Sequence, residues 1–134
     1  MSFRFLEHTA DIKFKAQGKT IEKVFEECVL AFSNYVSRGE KIKNSSKKII
    51  KLKADNSESL LYQFLDNLIY LLDANNFIAS NAKVTIEGNS LKAIVWGDNS
   101  KNYKGLNPIK AATYSEMYIK KTKSEWEAQV VLDV

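Results

Sequence analysis

The chain has one cysteine, one proline and one histidine among its 134 residues. A lone thiol, Cys28, excludes an internal disulfide and a cysteine-built metal site. It falls among Val24, Phe25, Val29 and Phe32, where a thiol packs as a small hydrophobe rather than serving as a nucleophile. The lone His8 excludes multi-histidine zinc sites and leaves acid–base chemistry to itself or to carboxylates. Arginine is almost as scarce. Arg4 and Arg38 stand alone, so lysine carries the net charge of +4. Arginine is the side chain that grips phosphate bidentately, and its scarcity speaks against a phosphate-reading patch. The basic run from Lys41 to Lys48 therefore reads as a solvated, flexible connection, nucleic-acid contact being the alternative. No stable direct nucleic-acid binding is expected. No stretch approaches the ~20 apolar residues of a membrane span, and Met1–Ile12 lacks a signal-peptide pattern. A cytoplasmic protein without a membrane partner is the expectation. P-loop, nucleophile-elbow, Cys-x-x-Cys and Gly-x-Gly-x-x-Gly patterns are all missing.

What remains is an ordinary soluble composition, 45% hydrophobic and 27% charged, over a length that predicts one domain spanning residues 1–134. Phe3–Leu6 is a short aromatic strand. After a turn over Glu7–Ala10, Asp11–Gln17 alternates, with Ile12, Phe14 and Ala16 on one side and Asp11, Lys13 and Lys15 on the other. Gly18 breaks the strand and Thr20 caps a helix whose apolar stripe runs from Ile21 to Val36. Lys48–Ala54 reads as a strand. Asn56-Ser57 opens a second helix with a wider stripe, Leu60 to Leu72, closed by Asn75-Asn76. From Phe77 the pattern is strand: a hairpin at Glu87–Ser90, a return over Leu91–Trp96, and a loop over Gly97–Pro108 on turn chemistry. An extended Ile109–Lys121, a turn at Thr122–Ser124 and a last strand to Val134 follow. The fold class predicted is α+β, a mostly antiparallel or mixed sheet packed with two amphipathic helices.

Asp11 and Asp133 occupy matching places, one on the wetter face where its strand begins, the other on the wetter face where its strand ends. If those strands are neighbours, the two carboxylates converge, with the Val134 backbone oxygens beside them. Clustered carboxylates repel unless a proton or cation sits between them. An oxygen-only set of this kind suits calcium or magnesium rather than zinc or copper. The alternative is that Asp11 caps its turn through its own backbone and Asp133 is a solvated end. His8 beside Asp11 either orients a metal-bound water or stabilises the turn.

Phe5-Leu6-Glu7-His8-Thr9-Ala10-Asp11-Ile12 resembles the N-terminal signature of the archease family. The stretch from Gly18 to Phe25 is similar to that family's lead-in to its first helix. Lys110-Ala111-Ala112-Thr113-Tyr114 looks like its Lys-Ala-Val-Thr-Tyr-His segment, and Trp126–Val134 resembles its closing strand. The four motifs lie in register along the whole chain. The resemblance implies a small α+β fold and a protein that is not itself a catalyst. It would activate the RtcB-type RNA ligase of tRNA splicing and RNA repair, promoting guanylylation of the ligase and multiple turnover. The family's metal ligands map onto Asp11, Asp133 and Val134. His8, Lys110 and Tyr114 are candidates for shaping the site or touching the partner, Lys110 alternatively pairing with the carboxylates. Ser115 departs from the family's usual histidine after Tyr114, so no histidine role carries over there. The rival readings are a metal-dependent hydrolase using the same carboxylates, a chaperone-like module using the Leu60–Leu72 stripe, and an RNA-binding accessory using the Lys41–Lys53 lysines, with affinity falling steeply as salt rises.

Overall fold

A computed structural model of the protein describes residues 1–7 and 11–134. His8 and the expected turn leading to Asp11 lie outside the described residues. The elements run β1 (Ser2–Leu6), β2 (Asp11–Gly18), α1 (Ile21–Ser37), β3 (Ser46–Lys53), α2 (Ser57–Asn75), β4 (Phe77–Glu87) and β5 (Ser90–Asn99). A 3₁₀ turn (Ser100–Asn102) precedes β6 (Ala111–Ala112), β7 (Tyr118–Lys121) and β8 (Trp126–Asp133). The fold is α+β. One sheet is ordered β1-β2-β8-β6, with β7 also paired to β8, and the other is ordered β3-β5-β4. Every strand pair among the described residues is antiparallel.

The helices begin and end where their caps require. Thr20 accepts from the Lys23 amide and Asn56 from the Ser59 amide, each satisfying a first-turn N–H that has no intrahelical partner. Arg38 and Asn76 close the helices in the left-handed conformation, at φ 56° and 52°. Asn tolerates that conformation well. At Arg38 the geometry is held by amide bonds to the Asn34 and Tyr35 carbonyls.

The apolar stripes of both helices are consumed by the core. Phe25 of α1 stacks on Phe64 of α2 at 6.0 Å, and Phe14, Ala128 and Val130 of the larger sheet are fully buried in the same cluster. Leu60, Leu61, Phe64, Leu65 and Leu68 of α2 are all buried there, each such side chain contributing about 1.5–3 kcal/mol. Cys28 is fully buried, and desolvation, aided by the Glu27 carboxylate, pushes its thiol well above the ordinary range. No described helix is long and apolar enough to cross a membrane.

Four local expectations are corrected. Gly97 and Asp98 belong to β5, paired with Ala79 and Ile78, rather than to a loop. A Cβ on Gly97 would stand 2.1 Å from the Ile78 carbonyl oxygen, so this glycine serves close strand packing, not a turn. Ile109–Lys121 is not one extended segment. It breaks between β6 and β7 at a turn closed by the Met117 amide on the Tyr114 carbonyl, with Glu116 at φ 52°. The face of β8 bearing Glu127, Gln129 and Val131 is buried, because β8 is the centre of its sheet, with β2 on one flank and β6 and β7 on the other. The segment before β3 is also pinned rather than loose. Ile42 is buried, its carbonyl accepts from Ser80 Oγ, and the Lys43 amide donates to Tyr103 Oη.

Candidate functional site

The site is built by the register of β2 and β8. The rows Ile12↔Leu132, Phe14↔Val130 and Ala16↔Ala128 turn their side chains into the core. A slip of one residue would throw this whole set onto the solvent side, so the packing fixes the register. In that register Asp11 is the direct partner of Asp133. Cross-strand partners project from the same face, with Cα atoms roughly 4.5–5.5 Å apart. Both aspartates are half-buried. Like charges placed directly opposite each other on a sheet oppose folding, and a cation between them removes that opposition.

The remaining sequence candidates divide. Val134 follows Asp133 directly, and its side chain packs against the core cluster, which holds the adjacent backbone in place. Lys110 reaches the pair through its main chain, its amide donating to the Asp133 carbonyl at 2.8 Å. Ala111 then pairs with Asp133 and Ala112 with Leu132. Thr113 Oγ1 continues the alignment by donating to the Val131 carbonyl at 2.8 Å. The Lys110–Thr113 segment is thus laid along the end of β8 and walls one side of Asp133. The Lys110 side chain itself is exposed. Tyr114 turns away onto α2, where its ring stacks on Tyr62 at 4.3 Å and its hydroxyl bonds Ser59 Oγ at 3.3 Å. Ser115 is exposed and its amide donates to Thr113 Oγ1, so it stabilises the turn. His8 lies outside the described residues.

Sequence reasoning missed the polar groups that brace this end of the sheet. Lys13, two residues beyond Asp11 on the same face, pairs with Glu116 Oε1 at 3.0 Å. The Glu116 carbonyl accepts from Gln129 Nε2 at 2.8 Å. Farther along, Glu127 accepts from Tyr118 Oη at 2.6 Å and from Gln17 Nε2 at 2.8 Å. Those two hydrogen bonds, the tyrosine first, hold the Glu127 carboxyl below its usual range. Burial, followed by the neighbouring Glu127, pushes Tyr118 up to about 12. No local signal marks these partners, which are brought together only when β2 and β7 pair with β8.

Asp11, Asp133 and the backbone oxygens at Val134 form an oxygen-only donor set, which fits a hard cation such as calcium or magnesium. Among the described residues no third histidine, cysteine, aspartate or glutamate joins them in a cluster. The described side chains would therefore supply only part of the coordination shell of such a cation.

Residues 3–134 match the archease protein family. The chain is 38% identical to the protein archease of Methanosarcina mazei, over 98% of this chain and 95% of that one. It is 33% identical to the protein archease of Pyrococcus furiosus, over 96% and 95%. The fold is shared with a solution structure of a Methanobacterium thermoautotrophicum protein at a TM-score of 0.80 and 24% identity, with 98% of each chain covered. A Thermotoga maritima crystal structure described as an archease and possible chaperone superposes at a TM-score of 0.63 and 22% identity, over 96% and 94%. The chain belongs to the archease family.

Proposed function

We propose that this protein is a cytoplasmic activator of an RtcB-type RNA ligase, not a catalyst in its own right. It would promote guanylylation and repeated turnover of the ligase in tRNA splicing and RNA repair. The observation that carries the reading is the register pairing of Asp11 with Asp133, at positions where the resemblance to the archease family implies metal ligands. Asp11 and Asp133 would hold a calcium or magnesium ion, with a backbone oxygen from Val134. The ion supplies local positive charge and an exchangeable coordination shell. A divalent cation takes six or more oxygen ligands, so a tip with few side-chain donors leaves positions for the partner's own groups. The chain's part is to fix the two carboxylates on a rigid sheet end, to wall Asp133 with Lys110–Thr113, and to present that end to the ligase's metal- and nucleotide-binding site. Lys110, Tyr114 and His8 are proposed to shape or contact that surface.

The chaperone alternative has less free surface than the Leu60–Leu72 stripe offered, since Leu60, Leu61, Phe64, Leu65, Leu68 and Ile69 are buried in the core and Leu71 and Leu72 are half-buried against it. The hydrolase alternative would require turnover without a partner. The deciding experiment measures ligase guanylylation and RNA joining at substoichiometric ligase, with and without this protein, using the ligase of the same organism. Stimulation that disappears in folded Asp11→Ala and Asp133→Ala variants supports the reading. Full stimulation by both variants rejects the acidic tip, and no stimulation of an active ligase rejects the activator role.

A further inference from the structure

The outer face of the three-stranded sheet carries a charge arrangement that the acidic tip does not explain. Its rows run Lys47↔Trp96↔Asn81, Ile49↔Ile94↔Lys83, Lys51↔Lys92↔Thr85 and Lys53↔Ser90↔Glu87. Partners in register share a face, and the intervening residues Ile50, Ala93, Val95 and Val84 point into the core. The lysines of these rows are exposed, Ile49 is 51% exposed, and Ile94 and Trp96 are half-buried at the centre. Lys51 stands directly opposite Lys92, a like-charge pair of the kind that opposes sheet formation.

General abundance of lysine does not account for this face. On the larger sheet Lys13 pairs with Glu116 and Lys120 with Glu127. Among the described residues, no ion pair forms at Lys47, Lys51, Lys53, Lys83 or Lys92. The other acid near this face, Asp98, is buried and is engaged by Tyr103, Asn99 and Asn102 at one end of the sheet. Beside the Lys51–Lys92 pair lies an open depression of about 490 Å³, edged by Lys53, Thr85, Ser90 and Glu87. Its lining is mostly apolar, with Leu52 and Leu91 among it, and it carries the lysine ammonium groups and the Thr85 and Ser90 hydroxyls, with Glu87 the single carboxylate against them.

We propose that this face binds the phosphate backbone of single-stranded RNA, without base specificity. Lysines two residues apart on a strand are spaced by about 6.7 Å and strands by about 4.8 Å, so the face presents a lattice of cations to a flexible row of phosphates. The half-buried Trp96 gives bases an aromatic ring on which to stack, with Ile94 as an apolar neighbour. Lysine is depleted from protein–protein interfaces, which favours a polyanion over an acidic protein as occupant. Lysine without arginine acts as a point charge rather than a bidentate reader, which is why no base preference is assigned.

The test is fluorescence anisotropy of a short labelled oligouridine titrated with the full chain across a salt series. The expected result is binding at low salt that weakens steeply as salt rises. The slope of log affinity against log salt should fall by about 0.7 for each lysine removed. Lys51→Gln with Lys92→Gln should therefore flatten it by about 1.4, while the melting temperature of this variant stays level or rises. Glu87→Gln should tighten binding, and Trp96→Phe should abolish RNA-induced quenching of indole fluorescence. Asp11→Ala and Lys120→Gln should bind as the wild type does, which separates this face from the acidic tip. No binding at low salt, lysine variants indistinguishable from wild type, or equal binding of a polyglutamate peptide would each overturn the proposal.

Discussion

The ring of Tyr114 lies parallel to that of Tyr62, with centroids 4.3 Å apart and an interplanar angle of 6°. One belongs to the turn after β6, the other to α2, and their contact ties the wall beside Asp133 to the helical layer. Stacked aromatic pairs of this kind contribute about 0.5–1.5 kcal/mol beyond the area they bury. A double-mutant cycle of Tyr62→Ala and Tyr114→Ala, read by urea denaturation, should return a coupling energy in that range. Tyr114→Phe should cost less than either, because the bond it removes is 3.3 Å long and exposed.

The acidic pair should show itself in stability before any ligase is added. In chelator-treated buffer at low ionic strength, Asp133→Asn should stabilise the fold by about 0.2–1 kcal/mol, by removing a like-charge opposition. Adding calcium or magnesium should reverse the order. At a hundredfold excess over its dissociation constant, a cation bound only to the native state adds about 2.7 kcal/mol to the wild type. Melting curves with and without the cation test both halves of this expectation.

The Glu127–Tyr118 bond gives opposite behaviour at the two ends of the pH scale. The Glu127 carboxyl is lowered in the folded state, so its contribution is present above the unfolded carboxyl value and is lost as pH falls through the folded one. Asp98, held down chiefly by the Tyr103 hydroxyl, adds a loss of the same sign. Tyr118 is raised to about 12, so its contribution is complete below the ordinary tyrosine range and disappears as pH climbs toward that value. Absorbance titration should find two late-ionising tyrosines, Tyr118 and Tyr103, both raised chiefly by burial, and Tyr118→Phe should remove one of them. That variant should also lose roughly 1–3 kcal/mol at neutral pH.

Gly97→Ala should be among the most damaging single-methyl additions in the protein. The new carbon would meet the Ile78 carbonyl oxygen and the Phe77 ring at once, and overpacking of a tight site costs about 1–3 kcal/mol. Gly39, whose surroundings are open, provides a comparison in which only the positive φ of 83° is opposed. Thermal melts of the two alanine variants should place Gly97→Ala well below Gly39→Ala.

Periodicity and capping chemistry made much of this architecture readable in advance. Thr20 and Asn56 mark the helix starts, Asn76 marks one stop, and the alternation from Asp11 to Gln17 places Asp11 on the outer face. Gly97 misled because glycine serves both turns and close backbone approach, and only the neighbouring strand distinguishes the two. Glu127 and Gln129 looked solvated because alternation reports which face a residue occupies, not whether another strand's side chains cover that face. The aspartate pairing was legible only as a condition on strand adjacency. The Tyr62–Tyr114 stack left no trace, since helix docking, not spacing, joins its members. The lysines up to Lys53 were visible in the sequence, but their alignment with Lys92 and Lys83 was not, since sheet pairing alone brings those rows together.

The central position of β8 also bears on how the molecule comes into being. β2 is translated early, yet its inner flank has no partner until residues 126–133 have left the ribosome. Pairings between such distant parts of a chain form slowly, and an unpaired strand edge is exposed to wrong partners while it waits. Asp11 accordingly spends most of synthesis without Asp133 beside it. Any ability to hold a cation there would arise in one late event, together with closure of the larger sheet.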